Sequence, residues 1–92
     1  MDKKMGAAYA AAKEVVKNIP ENKVGSYKQK LISAVTFRDK ERVCEILLQL
    51  SSYSGVVFGF AYDVFENFDE NKNIVYTFIN ALNKERVVSS NE

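Results

Sequence analysis

Apolar side chains recur at steps of three and four residues along most of this chain, the spacing that lines one side of an α-helix. Val24, Tyr27, Leu31, Ala34 and Val35 form one such stripe. After a charged turn at Thr36-Phe37-Arg38-Asp39, a second stripe follows with Val43, Ile46, Leu47 and Leu50. Stripes of this kind must be covered by other helices, so a helical hairpin from Val24 to Leu50 is the expected nucleus of the fold. Upstream, Met5, Ala8, Tyr9, Ala12, Val15, Val16 and Ile19 share one side of a helix predicted over Asp2 to Ile19, with Asp2 at its positive end. Pro20 lacks an N–H and pushes Ile19 away from helical angles, so that helix stops there. The second helix is expected to start between Asn22, an N-cap residue type, and Ser26, where Ser26-Tyr27-Lys28-Gln29 reads as a capping box. Thr36 with Asp39 three later is another capping pattern, which launches a third helix at about Phe37 and carries it to roughly Ser52.

The second half breaks most clearly at Ser51-Ser52-Tyr53-Ser54-Gly55, with Gly55 suited to a helix C-terminal cap. From Val56 to Phe65 strand and helix compete. Phe58, Phe60 and Tyr62 alternate as in a strand, whereas Phe58, Ala61, Phe65 and Phe68 fall on one helical face. Helix is preferred, because a lone strand finds no partner elsewhere in the chain. Asp69 is the expected N-cap of the last helix, and Ile74, Val75, Phe78, Ile79 and Leu82 its buried face. Lys84 and Arg86 suit its negative end, and Val87 to Glu92 should fray. The fold class is therefore all-α, a compact bundle of about five short helices in a single domain spanning residues 1–92, without repeats.

A chain of 92 residues hides only about 60 to 65% of its unfolded surface, which leaves a thin core that partners can reinforce. Its single Cys44 excludes an internal disulfide, and no apolar N-terminal stretch marks a signal peptide. The longest apolar run, Gly55 to Tyr62, is far short of the roughly 20 residues of a membrane span. A soluble, cytoplasmic protein without membrane contact is expected. The net charge of +1 hides an asymmetry: residues 1–42 carry ten Lys/Arg against five Asp/Glu, and residues 43–92 carry three against seven. A small helical protein segregated in this way binds a polyanion with one side, or stacks on copies of itself and on neighbours.

Catalytic chemistry finds little purchase. The chain has no histidine, and Cys44 without a partner base reads as a small core residue. Asp63, Glu66, Asp69 and Glu70 cluster, and Asp69-Glu70-Asn71-Lys72-Asn73 imitates the opening of a calcium loop. However, the sixth position is Ile74 where that loop needs glycine, and the twelfth is Asn80 where it needs a bidentate Glu. Phe58-Gly59-Phe60 resembles the aromatic core of an RNA-recognition strand but lacks the basic residue and glycine before it. The glycines at 6, 25, 55 and 59 form no phosphate loop. No enzyme activity, cofactor or metal is expected.

Three segments carry a family resemblance. Asn22-Lys23-Val24-Gly25-Ser26-Tyr27-Lys28-Gln29-Lys30-Leu31-Ile32-Ser33-Ala34-Val35 opens on Asn-Lys and closes on Ala-Val. Arg38-Asp39-Lys40-Glu41-Arg42 leads into the Leu-rich Val43-Cys44-Glu45-Ile46-Leu47-Leu48-Gln49-Leu50, and Val75-Tyr76-Thr77-Phe78-Ile79-Asn80-Ala81-Leu82 ends the pattern. Together they resemble the C-terminal helical domain of type I CRISPR large subunits, also made separately as the small subunit of the (I-B-like) Cascade complex. The resemblance implies a helical bundle lining an RNA-guided ribonucleoprotein of antiviral defence. Its implied partners are DNA, guide RNA, and the large and backbone Cascade subunits, and its implied role is contact with displaced or guide-paired DNA without catalysis.

The residues by themselves support a compatible reading. Lys13, Lys17, Lys23, Lys28, Lys30, Arg38, Lys40 and Arg42 are the candidate contacts to nucleic-acid backbone, giving sequence-independent attraction that weakens with salt. Base readout then belongs to the guide, and the acidic second half is free to face protein neighbours. Two alternatives stand beside this one. The chain can be a helical adaptor or self-assembling bundle with no nucleic-acid role. A helix–turn–helix regulator would read DNA with Val43 to Leu50, but that helix is too apolar to address base edges.

Overall fold

The computed structural model describes residues 3–90, with side chains described for residues 3–82. Over these residues the chain forms five helices: α1 (Lys3–Asn18), α2 (Glu21–Thr36), α3 (Lys40–Leu50), α4 (Gly55–Glu66) and α5 (Phe68–Ser90). The all-α bundle expected from the hydrophobic periodicity is the architecture found, and the disputed segment from Val56 to Phe65 is helical. Expectations for Asp2 and for the side chains of Lys84 and Arg86 lie outside what is described; of the tail expected to fray from Val87 to Glu92, residues 87–90 belong to α5 and residues 91–92 lie outside the described residues.

Every helix except α3 packs on at least one helix that is not its neighbour in sequence. α5 runs against α1, α2 and α4; α3 lies between α2 and α4; and α4 closes the ring by touching α1. The core is built from Ala8, Ala11, Ala12 and Val15 of α1, Val24, Leu31 and Val35 of α2, Val43, Ile46, Leu47 and Leu50 of α3, Val57, Phe60, Ala61 and Val64 of α4, and the Ile74, Val75, Phe78, Ile79, Leu82 stripe of α5. Alanines on α1 let it approach α5 closely, and Thr77 Oγ1 donates across that contact to Met5 Sδ at 3.1 Å. Phe60 and Phe78 meet edge to face with centroids 5.4 Å apart, joining α4 to α5 in a geometry aromatic pairs favour. At the end of α1, Asn18 Nδ2 donates to the Tyr53 carbonyl at 2.9 Å and ties that helix to the α3–α4 turn.

Helix ends depart from the expected boundaries in four places, each for a local reason. α2 begins at Glu21, directly after Pro20 with φ −58° and ψ 133°, so neither Asn22 nor Ser26 is its cap. Proline's fixed φ makes it a ready-made helix entry. α3 begins at Lys40 and not near Phe37: Asp39, not Thr36, is its N-cap, accepting the Arg42 backbone N–H at 3.1 Å. Gly55 opens α4 and does not close α3, whose last residue is Leu50. α5 begins at Phe68, which puts Asp69 inside its first turn, where a negative charge still complements the helix dipole. A single residue, Asn67, separates α4 from α5. The Asp63 carbonyl at the end of α4 accepts both the Asn67 N–H at 3.0 Å and the Asn71 Nδ2 at 2.9 Å.

α4 also turns a different side to the core than Phe58 and Phe65 suggest. Phe58 is 50% exposed, Tyr62 54% and Phe65 37%, while Val57, Phe60, Ala61 and Val64 are buried. Both sets fall at helical spacing, so α4 carries two apolar stripes, and only one of them is covered. Cys44 is half-buried at the edge of the α3 stripe and not within it.

Candidate nucleic-acid interface

The corner between α2 and α3 is made by three residues. The Arg38 N–H donates to the Val35 carbonyl and the Asp39 N–H to the Ala34 carbonyl, both at 2.9 Å, which is the Schellman way of ending a helix. That motif needs a left-handed residue, ordinarily glycine. Here it is Arg38, with φ 56°. An L-residue in this conformation costs about 1–2 kcal/mol, so the chain keeps an arginine at a place where glycine would be easier. Asp39 then serves as the cap of α3, and one strained turn both ends a helix and starts the next.

Around this turn the structure gathers part of the candidate set. Gln29, Lys30, Ser33 and Ala34 of α2, Phe37 and Asp39 of the turn, and Arg42 of α3 line an open cleft of about 530 Å³. Phe37 stands 79% exposed, the most exposed large apolar side chain among the described residues. On the other side of the turn Arg38 and Lys40 line a second depression with Glu66, Asn67, Phe68, Asp69 and Glu70. Arg38 Nη2 donates to Asp69 Oδ1 at 2.6 Å, and Lys40 Nζ lies 5.2 Å from the centre of the Phe65 ring.

The eight candidates thus divide into groups. Lys30 and Arg42 share the α2–α3 cleft, and Lys23 lies seven residues before Lys30 on the same flank of α2. Lys28 is half-buried on the opposite flank. Lys13 and Lys17 are exposed on α1, which packs on α4 and α5, whereas α2 packs on α3 and α5. Packing therefore does not set the α1 pair beside the α2 flank. Among the described residues Arg38 pairs with Asp69, and Arg42 with Glu45 at 2.9 Å, both in exposed ion pairs. Lys13, Lys17, Lys23, Lys30 and Lys40 form no salt bridge among the described residues. Exposed pairs contribute at most about 1 kcal/mol, so a phosphate can replace either carboxylate at small cost.

Phe37, Gln29 and Ser33 were not among the residues that sequence patterns singled out. The signal for Phe37 was present: it falls on neither apolar stripe and sits among Thr36, Arg38, Asp39 and Lys40, an aromatic residue with charge close by in sequence. For catalysis the same surfaces offer little. No group of three or more His, Cys, Asp or Glu among the described residues is placed to hold a metal ion. Burial pushes the Cys44 thiol up from its ordinary range, away from the reactive thiolate. No helix among the described residues is long and apolar enough to cross a membrane.

Comparison with known protein families gives one finding: the model of a family described as CRISPR-associated protein Csx8 matches residues 1–82. Comparisons with curated proteins and with solved structures return no match.

Proposed function

Because this chain belongs to the Csx8 family of CRISPR-associated proteins, we propose that it is a non-catalytic accessory subunit of an RNA-guided surveillance complex, gripping nucleic-acid backbone with its α2–α3 corner. In this reading it occupies the place of the small subunit in a cytoplasmic, type I Cascade-like assembly, beside the large and backbone subunits. The observation that carries the reading is the α2–α3 cleft, where Lys30 and Arg42 converge with the hydrogen-bonding side chains of Gln29 and Ser33. Lys23 extends the same flank. Cations and neutral polar groups together are what a phosphate track requires, and none of them reads sequence. Guide pairing supplies the specificity.

A second surface favours protein contact in the same assembly. Phe58, Tyr62 and Phe65 line one flank of α4, and Phe65 continues into a groove with Cys44 and Leu48 of α3, bordered by Glu41, Glu45 and Gln49. An apolar patch rimmed by polar residues marks an interaction site. If this surface were the whole function, the chain would be an adaptor with no nucleic-acid role. Gel mobility of single-stranded and duplex DNA at low salt separates the two readings. The corner reading expects a shift that is lost with Lys23→Glu and Lys30→Glu while the circular dichroism stays helical. An unshifted probe with the unaltered chain would leave the adaptor reading alone.

A further inference from the structure

The most exposed ring in the described structure stands in a cleft with Lys30 and Arg42, and backbone contact alone gives it no task. Phe37 emerges from the tight turn between α2 and α3, held by the Schellman bonds of Arg38 and Asp39 on one side and the end of α2 on the other. An exposed Phe loses hydrophobic stabilisation with no gain to the isolated fold. Its cleft partners are Gln29, Lys30, Ser33, Ala34, Asp39 and Arg42, two cations and one carboxylate among them, and Ala34 is the sole apolar residue. A cleft of about 530 Å³ lies within the roughly 300–1,000 Å³ of small-ligand sites.

We propose that this cleft is a subsite for one unstacked base of a single-stranded nucleic acid, with Phe37 as the stacking platform and Lys30 and Arg42 holding the phosphates on either side. The inference rests on the backbone-gripping function above and names its substrate class: a single strand, not a duplex. The bonded turn fixes where the ring leaves the backbone, and every base has a face to offer it. Gln29 and Ser33 add hydrogen-bonding groups at the base edge. In a paired duplex the bases are stacked on one another, so Phe37 has nothing to receive. The aromatic flank of α4 also has a cation near it, Lys40 over Phe65, but the groove it opens into is lined by Glu41 and Glu45 and by no basic residue.

The chain contains no tryptophan, so Phe37→Trp places a lone indole, excited selectively over the five tyrosines, at the proposed platform. Titration with oligothymidylate should quench its emission, and duplex DNA of the same length should not. Phe37→Ala should weaken single-strand binding by about five- to one-hundred-fold, the range set by one lost base stack, and leave duplex affinity and the slope of affinity against salt unchanged. On a strand with abasic residues throughout, Phe37→Ala and the unaltered chain should bind alike. Because Phe37 is 79% exposed, neither substitution disturbs the core, and circular dichroism checks this. Emission from the Phe37→Trp chain that single strands leave unquenched, or a Phe37→Ala chain that binds them as tightly as the unaltered one, overturns the stacking subsite. If charge variants still weaken binding in that case, the backbone reading survives without it. A chain that binds neither single strands nor duplex at low salt removes both.

Discussion

Two surfaces of this bundle leave aromatic rings in water, and the charge around them differs. At the α2–α3 corner a single ring, Phe37, stands with Lys30 and Arg42 in a cleft whose other lining residues are Gln29, Ser33, Ala34 and Asp39. On the α3–α4 side Phe58, Tyr62 and Phe65 extend an apolar groove with Cys44 and Leu48, bordered by Glu41 and Glu45. The first cleft is lined by two basic side chains and one carboxylate, while the second is lined by two carboxylates and no basic residue. An exposed aromatic residue therefore says that something binds, and its charged neighbours say what kind of thing. α4 strengthens the contrast. It is apolar on almost every side, as helices enclosed on all sides are, yet the flank carrying Phe58, Tyr62 and Phe65 is open.

The largest expected effect separates the two surfaces directly. Reversing Lys30 and Arg42 together to Glu should lower single-stranded DNA affinity by about a hundredfold at low salt and flatten its salt dependence, since each lost phosphate contact removes about 0.7 from the slope. Reversing Lys13 and Lys17 on α1 should cost less than about tenfold in the same electrophoretic titration. Equal losses from both pairs would mean that the corner has no special standing.

Next in size is the opposite test. Phe58→Ser with Tyr62→Ser should leave DNA binding within about twofold and weaken association with protein subunits by about thirtyfold or more, the loss expected when central aromatic anchors are removed. Copurification of the tagged chain with guide RNA and its protein partners provides the measurement. A loss of DNA binding in this variant would erase the contrast between the surfaces.

These tests turn on features that the sequence exposes unevenly. The buried face of α5 was plain, because Ile74, Val75, Phe78, Ile79 and Leu82 make one unbroken stripe with polar residues around it. α4 was ambiguous for a physical reason: Val57, Phe60, Val64 and Phe58, Tyr62, Phe65 both satisfy helical spacing, and periodicity cannot tell which stripe faces inward when neither is polar. The corner was misjudged because Thr36 and Asp39 imitate a capping pair, while the real boundary depends on Arg38 adopting a left-handed conformation that arginine seldom takes. Of the basic candidates, the charges were evident from composition. Their grouping depended on which helices pack together: α1 packs on α4 and α5, whereas α2 packs on α3 and α5.

A smaller effect probes the strain at the corner. Arg38→Gly relieves the left-handed penalty of about 1–2 kcal/mol, but it gives up an exposed ion pair and adds freedom to the unfolded chain, each at up to about 1 kcal/mol. The net is a stabilisation of about 0.5 kcal/mol, or a melting temperature higher by about 2–4 °C for a domain of this size. If the same variant binds DNA more weakly, the strain is kept for a contact Arg38 makes to its ligand. The smallest effect is chemical. Because burial pushes the Cys44 thiol up, alkylation at neutral pH should run a few-fold slower than for a free cysteine. Oligonucleotide should leave that rate unchanged, while a protein partner seated on the α3–α4 groove should slow it further.

The most direct measurement is the affinity of the full chain for a labelled oligothymidylate, followed by fluorescence anisotropy as salt rises from about 50 to 300 mM. A linear fall of log affinity with log salt is expected, at a slope that Lys30→Gln and Arg42→Gln each reduce by about 0.7, together with weaker binding to duplex DNA of equal length. No binding at the lowest salt, or a slope indifferent to both substitutions, would contradict the assignment of the α2–α3 corner to nucleic acid.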